Sequence, residues 1–296
     1  MLCSTIIPTV GRPTLARAVE SVLAQDTEPR LHEIIVVNDS GRPLDPESWM
    51  QSPQVSVVNT NRCERSIACN VGAAIAKGVY LKVLHDDDYL LPGGLMALLS
   101  AAESSGCCWI YGGLERVDND AHFISVDHPE VTGNILALLV AGDCLHLGPA
   151  LIDRGAFLRA CGFDPRLSVG EDYDLECRLA LAGNFGRVDR KVAVVRVGRE
   201  GSTTSWDEVT REYRLVREKI LSEPGVVPRL LDSFQRYPRA RARVCRAYVA
   251  SFVLNLKARR LLVALSRFVS GLRLAAAYPV LPSYWRDMFR AKSASE

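Results

Sequence analysis

The chain has 296 residues, of which 48% are hydrophobic and 24% charged, and its net charge is +2. This composition is typical of a globular protein with a sizeable core, and it excludes disordered, collagen-like and low-complexity chains. The sequence contains no run of 18 uninterrupted apolar residues, and it does not open with a basic segment followed by an apolar one. We therefore expect neither a transmembrane helix nor a signal peptide.

The nine cysteines are scattered and form no CxxC pair. This pattern favours free or buried thiols over a zinc site or a disulfide framework, and it predicts a cytoplasmic protein. Charge is distributed unevenly. Residues 239–296 contain 12 Lys or Arg and two acidic residues, a net charge of +10, whereas the remainder has 24 basic and 32 acidic residues, a net charge of −8. An acidic body with a basic tail indicates two regions with different partners.

The first half of the chain alternates strand and helix signals. Runs of apolar, β-branched residues predict strands at residues 4–8, 33–38, 54–59, 79–84 and 107–111. Apolar residues at helical spacing predict a helix that opens at Pro13 and further helices at residues 66–77 and 94–104. This order implies an α/β fold with an open, mostly parallel sheet flanked by helices.

The second half becomes helical towards its end. Residues 154–161 and 172–182 are predicted to be helices, and residues 187–197 a strand. After Trp206 the pattern predicts only helices, at residues 208–221 and 226–234 and over one long segment from 241 to about 277. We therefore divide the chain into an α/β domain, residues 1–205, and a C-terminal helical region, residues 206–296.

Three successive aspartates, Asp86, Asp87 and Asp88, follow the predicted strand at residues 79–84. Open α/β sheets bind ligands at the carboxyl ends of their strands, and carboxylates suit Mg²⁺ or Mn²⁺ shared with substrate phosphates. The cluster therefore predicts a metal site. The alternative is a solvated acidic turn that caps the next helix.

Asp39 follows the strand at residues 33–38 in the same way. It is a candidate to accept hydrogen bonds from the base or ribose of a nucleotide, and the alternative is an ordinary polar turn. The sequence has neither a GxGxxG nor a GxxxxGK[ST] motif. A phosphate ligand would therefore be neutralised by a metal and side chains.

Two acidic residues, Glu171 and Asp172, open the helix predicted from residue 172. One of them is a candidate general base, and we expect the helix dipole to keep its pKa low. The alternative is that both residues simply stabilise the helix N-terminus.

Five sequence blocks together resemble an inverting family 2 glycosyltransferase with the GT-A fold. The resemblance extends from about residue 4 to about residue 202. The blocks, in chain order, are STIIPTVGRPTLARAVESVLAQ, VVNDS, ERSIACNVGAAIAKGVYLKVLHDDDYLLP, YGG and CGFDPRLSVGEDYDLECRLALAG. The resemblance implies that the first domain is a GT-A glycosyltransferase domain.

The resemblance also implies roles for individual residues. Asp172 matches the catalytic base, and Glu171 would orient it or contact the acceptor. Asp87 and Asp88 match the paired acids of the metal motif, and Asp88 is the first choice as direct ligand. The residues implied in binding the donor are Pro8, Thr9, Asp39, Arg65, Asp86 and Asp87.

Three positions depart from the family pattern. His85 stands where an aspartate of the metal motif is frequent, and imidazole can bind Mn²⁺. Cys69 stands where an arginine is common, and Arg62 or Arg65 could supply that charge. Gly198 stands where a metal-binding histidine is frequent, and a missing third protein ligand would weaken metal affinity unless water or another residue replaces it.

The function implied is transfer of a sugar from a nucleoside-diphosphate sugar, expected to be UDP-linked, to an acceptor hydroxyl with inversion. The acceptor would be a glycan, a lipid-linked glycan or a small molecule in glycoconjugate biosynthesis, and the cofactor Mn²⁺ or Mg²⁺. One alternative is a sugar nucleotidyltransferase, although GRPTLAR is sparse for its glycine-rich basic loop. The other is a non-catalytic member with a degenerate site.

The C-terminal segment carries its own pattern. Its predicted long helix has one apolar face and places Arg259, Arg260 and Arg267 roughly opposite. Such a helix either lies on an anionic membrane, which adds the inner membrane face as a location, or packs on the catalytic domain or a second subunit. Aromatic residues are sparse there, so we expect no nucleic-acid partner. The apolar face consists of Leu254, Leu261, Leu265, Phe268 and Leu272.

Overall fold

The computed structural model describes residues 1–28, 31–61, 64–197 and 206–276. The strands of these residues are β1 Cys3–Thr9, β2 His32–Asn38, β3 Val55–Asn59, β4 Tyr80–Val83, β5 Tyr89–Leu90, β6 Trp109–Val117, β7 Phe123–Asp127, β8 Ala150–Asp153 and β9 Phe185–Arg196. The helices are α1 Leu15–Leu23, α2 Arg65–Ile75, α3 Gly94–Ser105, α4 Leu136–Ala141, α5 Arg154–Arg159, α6 Glu171–Ala182, α7 Trp206–Ile220, α8 Val226–Arg236, α9 Ala240–Lys257 and α10 Leu261–Ala275.

The strands of the described residues form one sheet in the order β3-β2-β1-β4-β8-β6-β9-β5, and β7 pairs with β6. The α/β class is confirmed, and β3, β2, β1 and β4 are all parallel as expected. Beyond β4 the sheet is mixed, because β8 runs antiparallel to both β4 and β6. The sequence pattern did not predict β7, β8 or α4, which are short and carry weak periodicity.

Helices cover both faces of the sheet. In β1, Ile6 packs into one hydrophobic cluster and its neighbour Ile7 into the other, because successive strand side chains point to opposite faces. Such double burial explains why this strand is apolar throughout and does not alternate. Because β1 runs parallel to both β2 and β4, the carboxyl ends of these three strands meet at one edge of the sheet.

The C-terminal helices pack into the same core as the sheet. Val216 of α7, Leu230 of α8 and Val244 of α9 belong to the cluster that contains Ile6. The proposed boundary at residue 205 thus separates an α/β part from a helical part that shares its core.

The long helix predicted from residue 241 is wrong, because the chain breaks it into α9 and α10. Arg259 has a φ of 58° at the break, which is a left-handed conformation. The sequence has no glycine or proline there that would have predicted the break. Phe252 of α9 contacts Phe268 of α10 with ring centroids 5.6 Å apart, so α10 folds back onto α9. The expected end near residue 277 lies outside the described residues.

Arg267 was also predicted wrongly, since it is buried and does not lie on a solvated face. Its guanidinium donates to Ser251 Oγ at 3.0 Å and to the Leu221 carbonyl at 2.7 Å. It therefore anchors α10 to α9 and to the end of α7. Among the described residues, none of the helices combines the length and apolar content needed to cross a bilayer.

We expect Gly72→Ala to destabilise the fold by about 1–3 kcal/mol, because overpacking a close contact strains the core. A Cβ at Gly72 of α2 would lie 2.5 Å from Ile6 Cγ2 of β1. Gly271→Ala in α10 is the matched control, since its Cβ would lie 3.4 Å from Tyr248 Cβ, an ordinary contact. Urea unfolding of both variants checks this, and equal midpoints would contradict it.

Candidate active site

A cavity of about 400 Å³ opens at the carboxyl ends of β1, β2 and β4. All the residues predicted to bind the donor or the metal line it, although they come from separate parts of the chain. Its lining comprises Pro8, Thr9, Val10, Arg12, Asp39, Arg65, Ala68, His85, Asp86, Asp87, Asp88, Asn119, Val195, Arg196 and Val197. The roles given to these residues remain predictions, but the structure brings them together.

Asp86 is buried and already engaged on both carboxylate oxygens. Thr9 Oγ1 donates to one at 2.6 Å, and Arg12 Nη1 donates to the other at 2.5 Å. Arg12 Nη1 also lies 3.8 Å from Asp87 Oδ2. Asp86 therefore fixes Thr9 and Arg12 at the cavity wall, and its neighbours are better placed to bind a ligand.

His85, Asp87 and Asp88 form a possible ligand set for a cation. Each offers one ligand atom, and these atoms all lie within 4.8 Å of one another. Two carboxylates and an imidazole fit Mn²⁺ or Mg²⁺ shared with a phosphate, and the imidazole adds affinity for Mn²⁺. The donor set therefore fits the predicted metal and extends it to His85.

The electrostatics of this cluster follow from burial. Burial raises the pKa of Asp88 to about 7, although the Arg196 backbone N–H, 2.9 Å from its Oδ1, opposes the shift. Burial also lowers the pKa of His85 to about 3, assisted by the charges of Arg65, Lys82 and Arg12. His85 is thus neutral at physiological pH, which leaves a ring nitrogen able to bind a cation.

Asp39 is buried at the end of β2 and is held by protein groups. Thr60 Oγ1 donates to its Oδ1 at 2.5 Å, and the backbone N–H of Glu64 donates to its Oδ2. Asp39 therefore holds Thr60, just after β3, and Glu64, just before α2, in addition to lining the cavity.

Arg65 connects the cavity to α6. It lines the cavity from the first turn of α2, and its Nη2 donates to Glu171 Oε1. Arg65 can therefore supply the positive charge of the arginine that is common in the family at the position of Cys69. Cys69 itself is buried against the sheet. Arg62 and Gly198 lie outside the described residues.

Glu171 and Asp172 lie in the first turn of α6, beside the cavity but not in its lining. The expectation of a low pKa is wrong for both. Burial raises the pKa of Asp172 more than the Tyr173 N–H at 2.8 Å and the charge of Arg65 lower it. Glu171 is shifted upward for the same reason, despite Arg65. A raised pKa makes either carboxylate a stronger base.

Sequence reasoning missed several residues around these carboxylates. Arg12 and Arg196 line the cavity, and Arg12 could have been recognised because it closely follows the end of β1. Tyr213 of α7 stacks on Tyr173 at 4.5 Å. A Cβ at Gly170, the residue before Glu171, would lie 2.8 Å from Tyr213 Cε1. The C-terminal region therefore supports the start of α6.

Glu176, one turn after Asp172, is fully buried and was also missed. Its Oε2 accepts the Leu145 N–H at 3.0 Å, and its Oε1 has no hydrogen-bond partner among the residues that the structure describes. Burial, and to a lesser extent the charge of Asp172, raises the pKa of Glu176 well above its usual range. The folded protein thus keeps this carboxyl protonated at pH values where the unfolded chain ionises it.

Glu176→Gln is expected to remove a pH dependence of stability. Because the folded pKa is raised, Glu176 stabilises fully below its unfolded pKa, and this contribution is lost as the pH rises through the folded pKa. The variant should therefore match the wild type near pH 4 and unfold at a higher temperature at pH 8. Melting temperatures across this range test it. A variant that is less stable at pH 8 would contradict it.

Comparisons with known proteins agree with this geometry. The family model described as glycosyl transferase family 2 matches residues 4–138, which include β1, β2, β4 and the three aspartates. Residues 4–138 are therefore similar to a family 2 glycosyltransferase domain. This matched region includes Thr9, Asp39, Arg65 and Asp88, which line the cavity.

Two curated proteins are also similar to this chain in sequence. The chain is 26% identical over 204 residues to the succinoglycan biosynthesis protein ExoO of Rhizobium meliloti, covering 64% of this chain and 58% of that protein. It is 27% identical over 135 residues to the uncharacterized glycosyltransferase YwdF of Bacillus subtilis, covering 45% of this chain and 46% of that protein. The chain thus spans about half the length of these relatives.

The fold also matches solved structures. S. aureus TarS 1-349, in complex with UDP-GlcNAc, aligns with a TM-score of 0.63 and 11% identity, over 93% of this chain and 92% of that one. The same protein in complex with UDP aligns with a TM-score of 0.60 and 13% identity, over 94% and 93%. The expected GT-A fold is confirmed, and the alignments include most of the C-terminal helices.

Proposed function

We propose that this chain transfers a sugar from a nucleoside-diphosphate sugar, UDP-linked by preference, to an acceptor hydroxyl with inversion. The observation that carries the proposal is the cavity, which gathers the predicted donor and metal residues at one edge of the sheet. The likeness to TarS in complex with UDP-GlcNAc supports a UDP-sugar donor. The family domain favours this function over a sugar nucleotidyltransferase.

The cavity is suited to a diphosphate. Arg12, Arg65 and Arg196 line it and can neutralise the negative charge that develops on the leaving nucleotide. His85, Asp87 and Asp88 would hold Mn²⁺ or Mg²⁺, which when bound adds Lewis-acid stabilisation of the same charge. A leaving group neutralised in this way needs no general acid.

In the proposed reaction Asp172 accepts the proton of the acceptor hydroxyl. The hydroxyl oxygen forms a bond to the anomeric carbon while the bond from that carbon to the phosphate oxygen breaks, and the electron pair leaves on the nucleotide. One displacement from the opposite face inverts the anomeric centre. The ion pair between Glu171 and Arg65 joins the start of α6, and hence Asp172, to the cavity wall.

The setting of the reaction is also a proposal. We place it in a reducing compartment such as the cytoplasm, and the lack of disulfides among the eight cysteines of the described residues supports this. The acceptor is a glycan, a lipid-linked glycan or a small molecule that carries a hydroxyl group.

A thermal-shift screen of nucleotide sugars, with and without Mn²⁺, tests the donor. A ligand that binds only the folded protein raises its melting temperature by mass action. We expect UDP-sugars with Mn²⁺ to give the largest shift, and UDP release in the presence of an acceptor to follow. Binding without turnover for any acceptor tested would indicate a degenerate member of the family.

A further inference from the structure

The pair α9 and α10 exposes a continuous apolar surface. Phe252 and Phe268 contact each other across the two helices. Residues three or four positions away lie on the same helix face, so the exposed apolar side chains next to these rings belong to one surface. We call this surface the apolar strip. It consists of the half-buried Phe252 and the exposed Val249, Leu256, Leu261, Leu265, Phe268 and Leu272.

The strip faces away from the protein. Leu261, Leu265 and Leu272 are 64%, 58% and 55% exposed, whereas Ala264 and Leu274 on the other side of α10 are buried. The buried guanidinium of Arg267 fixes this orientation through its hydrogen bonds to α7 and α9. An apolar face held outward in this way marks an interaction surface.

The charge around the strip has one sign. Between residues 239 and 276 the chain has nine Lys or Arg and no Asp or Glu. Three exposed basic residues lie at one end of the strip: Lys257 is the last residue of α9, and Arg259 and Arg260 lie in the turn that joins α9 to α10. We call these three residues the basic turn.

A groove between α7 and α9 also combines apolar and basic side chains. Its volume is about 610 Å³. Its acidic residue, Glu218, is engaged by Ser251 Oγ at 2.7 Å and Asn255 Nδ2 at 3.1 Å. Its basic residues are Arg214, Arg217, Arg246 and Lys257, and its exposed apolar ones include Val249, Val253 and Leu254.

We propose that the apolar strip and the basic turn dock this protein on an anionic lipid bilayer. An amphipathic helix buries its apolar face at the boundary of headgroups and acyl chains, while neighbouring cations contact lipid phosphates. A second copy fits less well, because residues 239–276 contain no Asp or Glu that could pair with these cations across an interface, whereas anionic headgroups complement them.

Co-sedimentation of the full chain with vesicles tests the proposal without reference to catalysis. Vesicles of phosphatidylcholine with about 30 mol% phosphatidylglycerol should bind the protein at low salt, and binding should fall steeply in about 1 M salt. Pure phosphatidylcholine vesicles should bind poorly. A chain that ignores the anionic vesicles at low salt would overturn the proposal.

Two triple variants locate the surface. Lys257→Gln, Arg259→Gln and Arg260→Gln together should weaken binding to anionic vesicles about 100-fold at low salt. Leu261→Gln, Leu265→Gln and Leu272→Gln together should weaken it at least as much and should leave the loss insensitive to salt.

Matched controls separate this surface from general effects of charge and hydrophobicity. Arg42→Gln, Arg159→Gln and Arg166→Gln remove the same charge from exposed positions elsewhere, and Phe123→Gln with Ile124→Gln removes exposed apolar side chains of β7. Both control variants should bind like the wild type, and all variants should keep the wild-type melting temperature. Equal loss of binding in the controls would overturn the proposal.

Two further outcomes would assign the strip to another occupant. A stable dimer that the leucine variant dissociates, in a protein that does not bind vesicles, would show that the strip is a subunit interface. Binding that appears only after removal of residues 277–296 would show that this segment covers the strip. Sedimentation velocity and the truncated chain distinguish these cases, and either result contradicts the proposal.

Discussion

Asp172→Asn is expected to lower the rate of sugar transfer by roughly 10²–10⁴-fold and to leave donor affinity nearly unchanged. The amide has the size of the carboxylate and can still accept the hydrogen bond from the Tyr173 N–H. It does not take up the proton of the acceptor hydroxyl. Because Asp172 does not line the donor cavity, the loss should fall on kcat and not on donor binding.

The measurement is UDP release at saturating donor and acceptor, combined with calorimetric titration of UDP. Asp189→Asn is the matched control, because Asp189 has an 86% exposed side chain and lies in the middle of β9. It should retain wild-type kcat. Near-normal turnover of Asp172→Asn would assign the base to another residue, and Glu171→Gln would be the next variant to examine.

Asp88→Ala is expected to abolish the Mn²⁺-dependent part of UDP binding. The variant removes a buried carboxylate that offers a ligand atom beside His85 and Asp87. A hard cation that loses one of two carboxylates binds far more weakly. Asp87→Ala should have the same effect, whereas the fold should survive both changes because the site lies at the end of β4.

Isothermal titration with UDP, with Mn²⁺ or with EDTA, measures this effect. Asp120→Ala is the control, since Asp118, Asp120 and His122 form a second, more exposed group of possible ligands. That variant should keep the wild-type response to Mn²⁺. If Asp88→Ala and Asp87→Ala both bind UDP with unchanged Mn²⁺ dependence, the metal assignment is wrong.

The sequence predicted the parts of the fold in which one physical signal dominates. Buried parallel strands are apolar throughout, so β1, β2 and β4 were recognised, and with them the positions of Thr9, Asp39 and Asp88 at strand ends. The sequence signal was weaker where tertiary contacts determine the backbone conformation. Arg259 adopts a left-handed conformation because α10 packs back on α9, and neither its residue type nor its neighbours reveal this.

Electrostatics were the hardest property to predict. The helix dipole was expected to lower the pKa of Asp172, but burial has the opposite effect and is stronger. Burial depends on how Tyr213 and α7 cover the start of α6, and these contacts join residues far apart in the sequence. The same limit applies to Arg196, whose place in the cavity depends on the position of β9 in the sheet.

Arg65 lies between the donor cavity and the start of α6. Its guanidinium lines the donor cavity and is also the counter-ion of Glu171 on α6. In the proposed reaction, a nucleotide phosphate that binds this guanidinium would withdraw it from Glu171, and a proton or an acceptor at Glu171 would release it towards the nucleotide. Donor binding and acceptor binding would thus be coupled thermodynamically in this proposed reaction, and such coupling is reciprocal. Donor affinity should therefore depend on pH and on acceptor concentration through Arg65, which joins the donor cavity to α6.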